Sequence, residues 1–224
     1  GIEHFSLQLH KGEIVGFGGL SGCGMRTIGR IGFGLEKPDS GEVIRKGRKI
    51  DKPLTAIRSG IGYISKNRDS EALILSASIA ENIAFPSYDD LSGFGFISPR
   101  KEKELVDGEV KKYAIKCKTA KQSVSTLSGG NKQKVSFAKW TAKNSDVLIM
   151  DCPTRGVDIG VKQAMYALIA QMKKDGKAII LISEELSELI GMADKIVIMK
   201  DNKITGEFMR RPGLQETDII GSMI

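Results

Sequence analysis

The sequence predicts an α/β fold in which a strand–helix core is interrupted by a mostly helical lobe. Three observations predict it. Short apolar runs recur toward both ends of the chain, at Ile14–Phe17, Ile61–Ile64, Val147–Met150 and Ala178–Ile182. Continuous runs of this length mark strands buried on both faces. A glycine-rich loop follows the first run and opens into a helix near Arg26, whereas residues 86–144 are charged, helix-prone and without such runs.

The remaining elements follow in order. Ile2 and Phe5-Ser6-Leu7-Gln8-Leu9 alternate as a strand, ending in a turn at Lys11-Gly12-Glu13. Glu42–Ile44 and Lys49-Ile50, around Lys46-Gly47, read as a small hairpin. In the lobe, Gly93, Gly95 and Pro99 make the first part a loop, and Glu102–Val110 is the clearest helical stretch. Val161–Lys174 has helical periodicity and stops at Asp175-Gly176. Lys195–Met199 and Lys203–Phe208, joined through Asp201-Asn202, form a closing hairpin. No internal repeat or low-complexity tract is present.

Composition narrows the function classes. The 34 basic and 27 acidic residues give a net charge of +7, but they are interspersed without a Lys/Arg block, so nucleic acid is not expected as a partner. Cys23, Cys117 and Cys152 are odd in number and widely spaced, which points to a reducing compartment rather than a disulfide framework or metal cluster. No apolar run approaches the ~18 residues that a membrane span needs, and no signal segment is visible. The chain opens at Gly1 inside a strand pattern, as an excised module of a longer polypeptide would.

The chemistry concentrates in three segments. Gly19-Leu20-Ser21-Gly22-Cys23-Gly24-Met25-Arg26 has the spacing of a phosphate-binding loop whose last two positions are normally Lys and Ser/Thr. Its glycines let backbone N–H groups and the following helix N-terminus face a phosphate. Met25 stands where a lysine would reach the phosphates, and Arg26 where a hydroxyl would hold Mg²⁺. A register shifted by one residue gives those roles to Arg26 and Thr27, and a glycine-rich turn that binds nothing is the plain alternative. Asp151 closes an apolar strand, a position suited to holding Mg²⁺ directly or through water, or to a structural role alone. Cys152 follows it where a hydrolytic site needs a base. The neighbouring negative charge of Asp151 and phosphate would keep its thiol neutral, and the only histidines, His4 and His10, are remote in sequence. Leu127-Ser128-Gly129-Gly130-Asn131-Lys132-Gln133 joins a hydroxyl and two glycines to a polar helix start, which is equipment for gripping a phosphate. A simple N-cap is the alternative for Ser128.

The order of these motifs resembles the nucleotide-binding domain of ABC transporters. It is most similar to the second, C-terminal domain of the fused ATPase subunit of bacterial simple-sugar (ribose/galactose-type) importers, over essentially all 224 residues. Leu127–Lys134 resembles the signature motif, Asp151–Gly160 the joined Walker B and D-loop, Ile182–Glu188 the switch region and Ile61–Arg68 the Q-loop region. The resemblance implies a P-loop NTPase ABC ATPase core with a small antiparallel β subdomain and an inserted helical subdomain. On that reading residues 1–85 and 145–224 are the core, and residues 86–144 the helical subdomain carrying the signature.

Against the family pattern, Met25 replaces the Walker A lysine or arginine, Cys152 the catalytic glutamate and Glu184 the switch histidine, while Lys66 stands at the Q-loop glutamine or glutamate. The four together imply a degenerate hydrolytic site, with weak or absent binding of its own ATP and Mg²⁺. The signature is intact. The resemblance therefore implies that Ser128, Gly129 and Gly130 close on a nucleotide held by an opposing domain, with Asp158 at the seam. The implied partners are the N-terminal nucleotide-binding domain of the same polypeptide, transmembrane permease subunits and, indirectly, a periplasmic or lipoprotein sugar-binding protein. The implied location is the cytoplasmic face of the cell membrane. Arg155 serves the seam, the opposite site or solvent. Tyr88, Phe94 and Phe96 serve either a membrane-subunit contact or the lobe core, and Trp140 is read as packing. The competing functions are a scaffold domain that binds no nucleotide and a soluble ABC-type ATPase outside transport.

Overall fold

The computed structural model describes residues 2–3, 5–93 and 95–224; Gly1, His4 and Phe94 lie outside the described residues. The chain forms two compact units. The first comprises Gly1–Tyr63, Asp146–Pro153 and Gln163–Ile224, and the second Ile64–Ser145 and Thr154–Lys162.

The first unit is built on a six-stranded sheet. Its strands are β1 (Ile14–Gly19), β4 (Ile61–Ile64), β7 (Val147–Asp151), β8 (Ala178–Ile182), β9 (Lys195–Lys200) and β10 (Lys203–Met209), in the order β10-β9-β1-β8-β7-β4. β1 runs parallel to both β8 and β9, β7 runs parallel to β8, and β10 is antiparallel to β9. β1, β4 and β8 are buried along their whole length, as continuous apolar runs require. Helices cover the faces. Gly16 and Gly18 lie on the face that receives α8 (Leu186–Met192); a Cβ at Gly16 would come within 2.9 Å of Ala193, and one at Gly18 within 2.7 Å of Leu189. On the other face α1 (Met25–Gly32) presses Gly29 against Ile182 and Ile149.

Pairing sets the active edge of this sheet. Phe17 and Asp151 both stand opposite Ile182. The carboxyl ends of β1, β7 and β8 therefore finish together, and the segments that follow them emerge side by side. A small hairpin, β2 (Ile44–Arg45) and β3 (Arg48–Lys49), turns through Lys46 and Gly47, both at positive φ. Its Lys46 Nζ donates to Asp146 Oδ2 at 2.9 Å, which lowers the pKa of that carboxyl.

The second unit is mainly helical. It holds a π-helical turn (Arg68–Ala72), α3 (Ile79–Ala84), α4 (Tyr88–Leu91), α5 (Pro99–Lys112) and α6 (Gly129–Ala142). Ile79, Ile83, Val106, Tyr113, Val135, Phe137 and Trp140 are buried in it, so Trp140 packs as read from sequence. Ser78 and Glu81 form a reciprocal capping box on α3, and Ser98 with Pro99 starts α5.

Several local expectations change. The described residues of the 2–9 segment form no strand, although their exposure alternates, because alternation alone supplies no ladder partner. The loop expected around Gly93 and Gly95 contains a tight hairpin, β5 (Ser92–Gly93) with β6 (Phe96–Ile97). Helix begins before Pro86, at α3, and the chain also contains α2 (Pro53–Arg58) and α9 (Glu216–Ile220). The hairpin at Asp201-Asn202 forms as expected, with both residues at positive φ. α7 spans Ile159–Lys174.

Within the helical unit, Lys139 Nζ donates to Ala72 O at 3.0 Å and lies 5.4 Å from the Trp140 ring centroid. Burial pulls its amine down to about 8, against an ordinary lysine near ~10.4. Between those values the unfolded chain holds the extra proton, so this residue's contribution to stability rises with pH. The stability of the wild type minus that of Lys139→Met, from denaturant unfolding, should therefore increase between about pH 7 and about pH 10. A pH-independent difference would show that the amine is not displaced.

Candidate nucleotide site and signature surface

The first unit places the phosphate-loop residues at the carboxyl end of β1. Gly19, Gly22 and Gly24 all have positive φ, and Cys23 is buried. A side chain at Gly24 would crowd Asn202, since a Cβ there would stand 2.6 Å from its Oδ1 and 3.3 Å from its Cα. Asn202 N also donates to Cys23 O at 3.0 Å, so the β9–β10 turn braces the loop. Sequence reading missed this brace because nothing in a local pattern joins residues so far apart.

The side chains after the loop diverge. Met25 starts α1 and is 2% exposed, so its thioether belongs to the core. Thr27 donates its backbone N–H to Gly24 O at 3.0 Å within the first turn. Arg26 reaches across the edge of the sheet. Its Nη2 lies 2.7 Å from Glu184 Oε1, and its Nε lies 3.4 Å from Asp151 Oδ1. The Tyr63 hydroxyl donates to Asp151 Oδ2 at 3.5 Å, a second partner that sequence did not suggest. Glu184 projects from a segment whose start is pinned, because Ser183 N donates to Phe17 O at 3.0 Å and Ser183 Oγ bonds to the buried Glu188.

Cys152 adopts φ 46°, and its N–H donates to Ile182 O at 2.8 Å. Burial is the main cause that pushes its thiol up to about 12, with the Asp151 and Glu184 carboxylates adding to it. The direction matches the sequence reading, but the largest cause is desolvation rather than neighbouring charge. A neutral thiol accepts protons poorly. Among the described residues no three His, Cys, Asp or Glu side chains are arranged to hold a metal ion.

The second unit assembles the signature residues by itself. Leu127 is buried and Ser128 is the N-cap of α6, yet its hydroxyl makes no capping bond. Instead Ser128 Oγ accepts from Asn131 Nδ2 at 3.0 Å, and Asn131 Oδ1 accepts the Lys116 N–H at 2.9 Å. Gln133 is 3% exposed and accepts from Arg68 Nη1 at 3.1 Å. That guanidinium stands beside the helix start, where a Cβ on Gly129 would be 3.4 Å from Arg68 Nη2. Gly130 packs on Val161, with a Cβ there only 3.0 Å away. Lys132 pairs with Asp69 at 3.4 Å. The result is a helix N-terminus with Arg68 and Lys132 near it, the two sharing the Asp69 carboxylate, so that one net positive charge is left to favour an anion. Arg68 is the functional candidate that the sequence placed in a motif without a role.

Asp158 Oδ1 accepts the Val161 N–H at 2.9 Å and so caps α7, while the residue itself stays exposed beside Ile159, which is 78% exposed. Arg155 is exposed, and Lys66 lies in a half-buried bend of this unit. Phe96 is 81% exposed, which excludes it from the lobe core; Tyr88 is half-buried and its hydroxyl donates to Glu102 at 3.4 Å.

A family model described as "ABC transporter" matches residues 2–155. The chain is 42% identical over 217 residues to the ribose import ATP-binding protein RbsA of Bacillus subtilis (strain 168), covering 96% of this chain and 44% of that protein. The corresponding protein of Bacillus licheniformis is 41% identical over 217 residues, with the same coverage. The chain thus spans less than half the length of these curated relatives. A dimeric structure of the ATP-binding cassette MJ0796 in a post-hydrolysis state, bound to ADP and Pi, superposes with a TM-score of 0.79 at 26% identity, covering 92% of this chain and 88% of that one. The structure of cbiO1 from Clostridium perfringens shares the fold with a TM-score of 0.76 at 23% identity, covering 97% and 85%.

The Cys152 geometry yields a direct test. With the thiol displaced to about 12, about one molecule in 10⁴ carries a thiolate near pH 8. Iodoacetamide should label half-exposed Cys117 on the native chain and reach buried Cys152 and Cys23 only after denaturation. Rapid native labelling of Cys152, read by peptide mass spectrometry, would contradict the assigned environment.

Proposed function

Because the chain belongs to the ABC transporter family, whose P-loop cassettes bind ATP with Mg²⁺ and hydrolyse ATP, we propose that it is an ATP-binding module of a simple-sugar importer. It is the C-terminal half of a fused two-domain ATPase subunit, and it serves chiefly to complete the other half's active site. Residues 1–224 then make one nucleotide-binding domain, with residues 86–144 as its signature-bearing subdomain. The sugar-import reading draws on the likeness to ribose import ATP-binding proteins along 96% of the chain. The two-domain reading draws on the chain matching only 44% of their length.

One contrast carries the proposal. At the phosphate loop, Arg26 is tied to Asp151 and Glu184, Met25 is buried, and Cys152 offers a neutral thiol. At the signature, the Ser128 hydroxyl is not spent on capping and the α6 N-terminus has Arg68 beside it. The first set cannot activate water, whereas the second can receive a γ-phosphate presented from outside. Leu127–Gln133 therefore closes on ATP held by the N-terminal domain of the same polypeptide, with exposed Asp158 and Ile159 at the seam. The partners are that domain and the transmembrane permease subunits, with an indirect link to a sugar-binding protein. No described helix is long and apolar enough to cross a membrane, and a peripheral position on the cytoplasmic face of the cell membrane fits this role.

The test is made in the assembled transporter. Ser128→Arg should lower ATP turnover by about 10²-fold or more, the scale of losing donors aimed at transition-state charge. Cys152→Ser should leave turnover within about twofold, because the thiol supplies no base to lose. The isolated chain should show no hydrolysis comparable to that of the transporter. A large loss from Cys152→Ser with little from Ser128→Arg would reverse the assignment of the two sites.

A further inference from the structure

The phosphate loop carries a feature that degeneracy alone does not explain. A divalent cation in a loop of this kind is held by hard oxygen ligands, typically a hydroxyl from the helix start and a carboxylate from the neighbouring strand end. Here the carboxylate is present as Asp151, 4% exposed at the end of β7. The hydroxyl position is Arg26, whose guanidinium has only donors and a permanent positive charge. The side chain bridges two carboxylates, Asp151 from β7 and Glu184 from the segment after β8, at 3.4 Å and 2.7 Å. The residues present therefore do not fit a Mg²⁺ ion: the cation is already there, covalently attached.

We propose that Arg26 is a resident replacement for the divalent cation of this loop, so that Asp151 and Glu184 take no metal ion while the guanidinium stays between them. This reaches beyond the donated signature and concerns only the chain's own loop. A buried carboxylate at this sheet edge needs a compensating charge in every state of the protein. In a metal-dependent loop, that charge arrives and leaves with the ligand. Here it is permanent. Glu184 belongs to the same arrangement. It extends from the switch segment to the outer side of the guanidinium and gives the cation a second anionic neighbour in place of phosphate oxygens. Tyr63 completes the set by donating to the other oxygen of Asp151.

An ordinary ion pair and a resident metal replacement differ in what happens when the arginine is removed. Mn²⁺ alone, without nucleotide, is titrated against the 224-residue chain, and the loss of the free-ion electron paramagnetic resonance signal is read. The wild type should bind no Mn²⁺ in this titration. Arg26→Ser, which supplies a small hydroxyl and removes the guanidinium from between the two carboxylates, should bind one ion with an affinity at least about tenfold above the detection limit at which the wild type shows none. Its melting temperature should fall below that of the wild type and recover with Mn²⁺ or Mg²⁺ but not with NaCl of equal ionic strength. Arg26→Lys, which keeps a cation, should remain indifferent to metal and serves as the folded control. Wild-type binding equal to that of Arg26→Ser would overturn the proposal. So would Arg26→Ser gaining no affinity, which would leave a simple ion pair. If Arg26→Ser does not fold, Arg26→Gln decides by the same two readings. None of these measurements involves nucleotide or a partner domain, so the outcome is separable from that of the importer reading.

Discussion

The buried carboxylate of Asp151 is the charge around which the first unit's ligand edge is arranged. Parallel pairing of β7 with β8 puts it opposite Ile182, inside the sheet's end rather than on a solvated rim. An anion so placed is tolerated only with compensation close by. Arg26 and Tyr63 supply it, and their positions in turn depend on α1 and β4 lying where the apolar packing of the sheet sets them. Gly16, Gly18 and Gly29 let the helices approach closely enough to fix that geometry. The charge and the packing therefore constrain each other.

Much of the architecture was legible from residue pattern. β1, β4, β7 and β8 announce themselves as uninterrupted apolar runs because both their faces are covered. The two clearest hairpins are written in their turns, Lys46-Gly47 and Asp201-Asn202, where positive φ selects Gly, Asn and Asp or tolerates Lys. The short helices α2, α3 and α9 were not legible, since five or six residues do not complete enough turns to display a period. The 2–9 segment misled in the opposite sense, by alternating without forming a strand over its described residues.

The site divides in the same way. Motif residues such as Gly24, Asp151 and Ser128 could be named from spacing, because backbone and chemistry impose the spacing. Their partners could not. Arg26 meets Glu184 from 158 residues away, and Arg68 meets Gln133 from 65. Such pairs are fixed by the folded sheet and helices, not by any local sequence rule. The Cys152 thiol shows the limit from another side: neighbouring charge could be read from Asp151, but the larger effect, burial, exists only once the chain is folded.

The Asn202 brace on the phosphate loop has a consequence for how the protein is made. The turn that crowds Gly24 and bonds to Cys23 lies 178 residues further along the chain (202 − 24), so it is synthesised well after the loop. At ordinary synthesis rates that delay is on the order of ten seconds. During it the glycine-rich segment has neither its buttress nor its neighbouring strands β7 to β9. A native-like loop is thus a late event in biosynthesis, and any nascent chain stalled before β10 carries the loop sequence without the loop's shape.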